Sequence, residues 1–287
     1  MILEKIVPVD SQLYLRYKQI FSIMGEKSDS QGWVQLFGIW TLTVAGIVLS
    51  MDMQDRYVYW DWDGWMVGLV KLMIVSIIFS AILNPKKIWT VGTNRLKLNE
   101  LFIHCVVGTI LLLFGWMDLD MIEENSRVEF ESFRIVVYLI YSALSIVPYV
   151  FSFLSCVLVF QFILELEEDK GTWTNSNWEN KFRYLSISVV SMVFAMVLGI
   201  ILEDPIASTA AAVALPFSVI ALIWPNHVRH LQRARFYPLF IFAMFLCVRV
   251  PWFLIPLGAL FFMLRAINYF RYGIVHPSFG VDFLEAD

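Results

Sequence analysis

Residues 236–270 read FYPLFIFAMFLCVRVPWFLIPLGALFFMLRAINYF, an apolar block interrupted only by Arg249 and Arg265 among charged residues. A helix needs about 20 apolar residues to cross a hydrocarbon core of about 30 Å. The block is therefore either one overlong span or a hairpin of two short ones, broken at Arg249-Val-Pro251. The rest of the chain decides between the two.

Five other stretches meet the length requirement outright: 33–51, 64–83, 99–117, 183–202 and 205–224. A sixth, 135–164, has Pro148 near its middle and reads as one tilted, kinked helix that extends past the interface. Positive residues in short loops stay on the cytoplasmic side. Lys and Arg are frequent in 1–32, 84–98, 165–183 and 225–235, and sparse in 52–63, 118–134 and 203–204. That alternation persists to the end of the chain only if 236–270 is a hairpin, with Arg249 at the outer turn and Arg265 and Arg271 inside. The expected fold is therefore all-α: a polytopic helical membrane protein of about eight transmembrane helices, within a range of six to eight, with both termini cytoplasmic. Residues 1–32 form a cytoplasmic segment, 33–270 the transmembrane bundle and 271–287 a cytoplasmic tail.

Composition agrees with this reading. Of 287 residues, 59% are hydrophobic and 16% charged, where a water-soluble domain carries about 25% charged residues. Cys105, Cys156 and Cys247 lie in apolar runs without Cys-x-x-Cys spacing, which argues against a disulfide framework or a zinc knuckle. No cleavable signal peptide is evident, so the first span acts as its own insertion signal. Asp10-Ser11 caps an amphipathic interfacial helix whose stripe is Leu13, Tyr17, Ile20, Phe21 and Met24, and Gly25 is expected to end it. A partner protein is the other surface on which that helix would lie.

Ionisable groups inside spans are costly and point first to function. Lys71 lies about 10 Å below the outer end of the second span at 1.5 Å per residue. It either holds an anion or snorkels to the interface. His104 lies near the cytoplasmic start of the third span, about 13 Å from Lys71 in depth by the same rise, and reads as a packed histidine. In the fourth span Tyr138, Ser142, Ser145, Tyr149, Ser152 and Cys156 recur every three or four residues beside Pro148. Such a polar face either lines a solute path or packs helices closely. The sixth span, with alanines from Ala207 to Ala214, is expected to pack backbone against backbone. Arg229, Arg233 and Arg235 form a cytoplasmic basic cluster suited to anionic lipid headgroups. His227 and His230 share its face, and the neighbouring arginines disfavour a metal there.

The outer stretch YVYWDWDGW, 57–65, puts Trp60, Trp62 and Trp65 with Tyr57 and Tyr59 at the membrane interface, as an aromatic belt. Asp61 and Asp63 form an acidic rim. Asp61-Trp-Asp63-Gly64 begins like a calcium loop, but the residues after it supply no further oxygen ligands. No Walker A sequence, dinucleotide fingerprint or nucleophile elbow is present, no metal or nucleic acid is indicated, and the sequence names no cofactor. The expected partners are the lipid bilayer and another membrane protein or a second copy. The chain reads as a non-catalytic membrane subunit, with a small-solute or ion carrier as the alternative and an unrecognised intramembrane enzyme third. A bacterial inner membrane is the default host, from the lack of glycosylation sequons.

Overall fold

The computed structural model describes residues 2–31, 33–51, 54–83, 98–117, 132–159, 164–167, 172–175 and 180–273. Its helices, in chain order, are α1 Ile2–Ile6, α2 Gln12–Gln31, α3 Trp33–Ser50, α4 Trp65–Ile78 with a π-helical extension Phe79–Leu83, and α5 Leu98–Trp116. They continue with α6 Ser132–Val159, α7 Lys181–Ile201, α8 Pro205–Ile223, α9 Val228–Arg249 and α10 Leu254–Tyr272. Among the described residues four helices are long and apolar enough to cross a membrane: Lys181–Ile201, Pro205–Ile223, Arg229–Arg249 and Pro251–Tyr272.

The block that opened the reading is two helices. Pro251 has no N–H to continue the α9 ladder. The chain turns through a 3₁₀ segment, Pro251–Phe253, closed by Val250 N–H to Leu246 O at 2.8 Å and Phe253 N–H to Val250 O at 3.1 Å. Trp252 and Phe253 are buried there. Pro148 does not divide α6, which runs unbroken from Ser132 to Val159. The segment after it departs from the expected plain loop: Leu164–Glu167 pairs antiparallel with Thr172–Asn175, Leu164 opposite Asn175. Leu-Glu-Leu-Glu alternates with the period of two that a strand requires.

Small residues bring the helices together. A Cβ on Gly46 of α3 would lie 2.0 Å from Leu112 O of α5, and one on Gly115 would lie 1.9 Å from Thr43 O. The two backbones touch, which only glycine permits. The α7–α8 pair also packs closely at Gly199, whose added Cβ would stand 2.7 Å from Ser208 N. Ala207, Ala210, Ala211 and Ala214 of α8 are fully buried, as the alanine-rich run implied. The α6–α7 contact carries a hydroxyl pair, Ser155 Oγ to Ser188 Oγ at 2.8 Å.

The N-terminal helix differs from expectation in two ways. Gly25 does not end α2. It is an interior position, kept small because Ile267 and Arg271 of α10 approach to 3.1 and 2.9 Å of where its Cβ would be. The buried stripe is also rotated from the expected one. Tyr14 is buried, its hydroxyl donating to Tyr269 O at 3.1 Å, and Phe21 stacks on Phe270 at 4.5 Å between ring centroids. Leu13 and Ile20 remain half exposed. The helix therefore docks on the end of α10, because the aromatic residues of α10 offer a face that the sequence of α2 alone cannot reveal.

Candidate interaction platform

The stretch between α3 and α4 is held by two buried arginines. Helix α3 ends near Ser50, and its last carbonyls lack intrahelical partners. A 3₁₀ turn over Asp55–Tyr57 swings Arg56 back under them. Its Nη2 donates to Leu49 O at 2.7 Å and its Nε to Met51 O at 3.2 Å. A cation at a helix C-terminus is favoured by the helix dipole. The remaining nitrogen, Nη1, meets Asp204 Oδ2 at 3.3 Å.

Asp204 begins α8. Its Oδ1 accepts from Ile206 N–H at 3.0 Å and Ala207 N–H at 2.9 Å, and Pro205 occupies the first helical position. This is an N-cap with a proline that needs no donor partner. Tyr149 of α6 donates its hydroxyl to the same carboxylate, 3.2 and 3.1 Å from the two oxygens. Arg56, Asp204 and Tyr149 are each at most 4% exposed. One buried carboxylate therefore joins the end of α3, the loop, α6 and the α7–α8 turn.

The second arginine ends α9. Arg249, also buried, donates from Nη1 to Asp61 Oδ2 at 3.2 Å. The neighbouring Trp60 N–H donates to Val248 O at 3.0 Å. Trp60 adopts φ +62°, a left-handed conformation that costs a non-glycine residue about 1–2 kcal/mol. The bond to Val248 and the Asp61–Arg249 pair on the next residue hold it there. Asp61 Oδ1 accepts from Asp63 N–H at 2.9 Å. That amide above all holds the Asp61 carboxyl below its ordinary value; burial opposes it, and Arg249 lowers it further. Tyr57 adds a hydroxyl bond to Glu203 O at 3.1 Å. Beyond Gly64, Gly68 leaves room for the Trp252 ring, which stands 2.3 Å from where a Cβ would be.

The result is a fixed loop with its large side chains outward. Trp60 is 66% exposed, and Tyr57, Tyr59, Trp62 and Trp65 are about half exposed. Asp55, Asp63 and Glu203 are exposed and Asp61 partly so.

The other residues singled out by sequence do not converge on this loop, except Tyr149. Lys71 donates to Gly115 O at 2.7 Å and Met117 O at 2.6 Å, the terminal carbonyls of α5. His104 is buried on α5, eleven residues before Gly115, which is roughly 16 Å along the helix; the two do not meet. In α6, Ser145 and Ser152 are buried, and Ser152 Oγ donates to Pro148 O at 2.9 Å. The side chains of Tyr138 and Ser142 lie outside the described residues. The basic cluster is divided: Arg229 and Arg233 are exposed, whereas Arg235 is buried beside the Phe236 ring at 5.3 Å. Among the described residues no group of three His, Cys, Asp or Glu is placed to hold a metal.

From sequence, Arg56, Asp204 and Arg249 read only as charges in the outer loops and turns. Two signals for them were present. Asp204-Pro205 directly before an apolar run marks a helix start, and Arg56 is a lone cation in an acidic loop. No family model matches this chain, and no curated protein or solved structure matches it.

Proposed function

We propose that the chain is a non-catalytic integral membrane subunit of eight spans, α3 to α10, which docks another component of a membrane assembly through the outer 54–65 loop. In this reading both termini are cytoplasmic and the membrane is a bacterial inner membrane. The observation that carries it is the investment in that loop. Two buried guanidiniums, one buried carboxylate and a left-handed tryptophan hold five exposed rings in a fixed arrangement. Preorganised aromatic side chains dock partners at low entropic cost, and Trp and Tyr are enriched among residues that dominate interface energy.

The carrier reading draws less support. Lys71, Tyr149 and Ser152 each donate to an acceptor within the chain, as packing groups do.

Purification in a mild detergent, with the mass of the intact particle measured, tests the proposal. A second polypeptide or a second copy at fixed stoichiometry is expected, and it should be lost when Trp60 and Trp62 are both replaced by Ala. A lone monomer would refute it. Reporter fusions after residues 60, 125 and 287 should read outside, outside and inside.

A further inference from the structure

Resting on the docking role just proposed, we infer that the loop recognises a cationic segment of the partner protein, one carrying Arg or Lys side chains. The loop contains one basic residue, Arg56, which is buried and matched to Asp204. What the loop shows outward is therefore carboxylate alone: Asp55, Asp63, part of Asp61 and, across the Tyr57 bond, Glu203. Between these stand the rings of Tyr57, Tyr59, Trp60 and Trp62, all half exposed or more.

An aromatic face attracts a cation through its quadrupole, and tryptophan does so best. A carboxylate beside the ring adds Coulombic attraction and a hydrogen-bond acceptor. Interleaved rings and carboxylates thus fit guanidinium and ammonium groups. An interfacial belt accounts for the rings but gives the acids no role. The Arg249 guanidinium shows the carboxylate part of this chemistry within the chain, at Asp61. The second oxygen of Asp61 is taken by Asp63 N–H, so Asp55, Asp63 and Glu203 are the carboxylates presented to the incoming cation.

The experiment is a tryptophan-fluorescence titration of the full chain in detergent with a capped hexa-arginine peptide and its neutral hexa-citrulline counterpart. The variants are Asp55→Asn/Asp63→Asn, which leaves both buried arginine pairs in place, Trp60→Ala, and Trp224→Phe as a control far from the loop in sequence. The arginine peptide should bind at least tenfold more tightly than the citrulline peptide, and more weakly as salt rises. Trp60→Ala should weaken it about two- to fivefold, the range for an exposed cation–π contact. The double asparagine variant should weaken it further, and Trp224→Phe should not change it.

Equal binding of the two peptides, or no effect of the double asparagine variant, overturns the inference. So does a fluorescence shift on transfer to choline-lipid nanodiscs that is insensitive to the aspartates and blocks the peptide, since it would assign the loop to lipid. A partner that co-purifies unchanged with the double asparagine variant refutes the cationic segment and leaves the subunit role standing. A lone monomer that binds the arginine peptide refutes the subunit role and supports the cationic specificity.

Discussion

Replacement of Asp204 tests the buried cluster most directly. Its carboxylate accepts from Arg56, Tyr149 and the amides of Ile206 and Ala207. Asp204→Ala removes the helix cap, worth about 1 kcal/mol. It also strands the Arg56 charge in a site 4% exposed, and an unpaired buried charge costs about 3–5 kcal/mol. The two losses share one group and do not add fully; about 4 kcal/mol is expected. Asp204→Asn keeps a capping oxygen and removes only the charge, so it should cost about 1 kcal/mol less. Arg56→Met strands the opposite charge and the carbonyls of Leu49 and Met51, at about 3 kcal/mol. The double variant Asp204→Asn/Arg56→Met leaves no unpaired charge and should cost less than the two singles together by about 2 kcal/mol or more. Equilibrium unfolding in mixed micelles, followed by helical circular dichroism, supplies the four free energies. If the singles add to within about 0.5 kcal/mol, the residues are not coupled, and the claim that one carboxylate joins three helices is refuted.

Four further outcomes follow from the same geometry. Gly46→Val drives a side chain into the α5 backbone, 2.0 Å from Leu112 O; it should cost about 3 kcal/mol, the upper end of overpacking penalties. Gly258→Ala, which meets nothing within 4 Å, should be neutral or stabilising by up to about 1 kcal/mol in the same unfolding assay. Lys71→Met removes two bonds to the α5 terminus and should lower stability by about 1–2 kcal/mol; vesicle flux unchanged across a solute panel would accompany a purely structural lysine. Asp61 has a depressed carboxyl, so its contribution is complete above the ordinary value of 3.8 and is lost as pH falls through the lower folded value. Asp61→Asn should remove that acid-side loss, visible as a flatter stability curve below the ordinary value, and a steeper curve in the variant would contradict the assignment.

The helices were legible because their signals are local. Apolar length sets each stretch, Pro251 ends α9, and Asp204-Pro205 starts α8; such rules act within a few residues. His227 and His230, read as sharing one face, lie close together with ring centroids 4.3 Å apart and planes tilted by 34°. The candidate site was half legible. The rings of Trp60 and Trp62 were read from sequence as part of an interfacial belt, and they are exposed. Lys71 was left between an anion and the interface, and its ammonium donates to the terminal carbonyls of α5. A helix terminus on another segment is not visible in the residues around Lys71.

Sequence by itself determined where the long apolar stretches lie and that residues 236–270 break at Pro251; about eight spans were expected from it, and among the described residues four helices are long and apolar enough to cross a membrane. Hydrophobic length, proline and capping carry that information in the chain's local order. Only the tertiary structure decided which charges are inside. Arg56 and Asp204 meet across 148 positions, and Arg249 and Asp61 across 188. Burial of an ion depends on whether a partner arrives from elsewhere to offset its desolvation, and no local pattern records that arrival. The same arrivals leave the acidic, aromatic face of the 54–65 loop pointing outward.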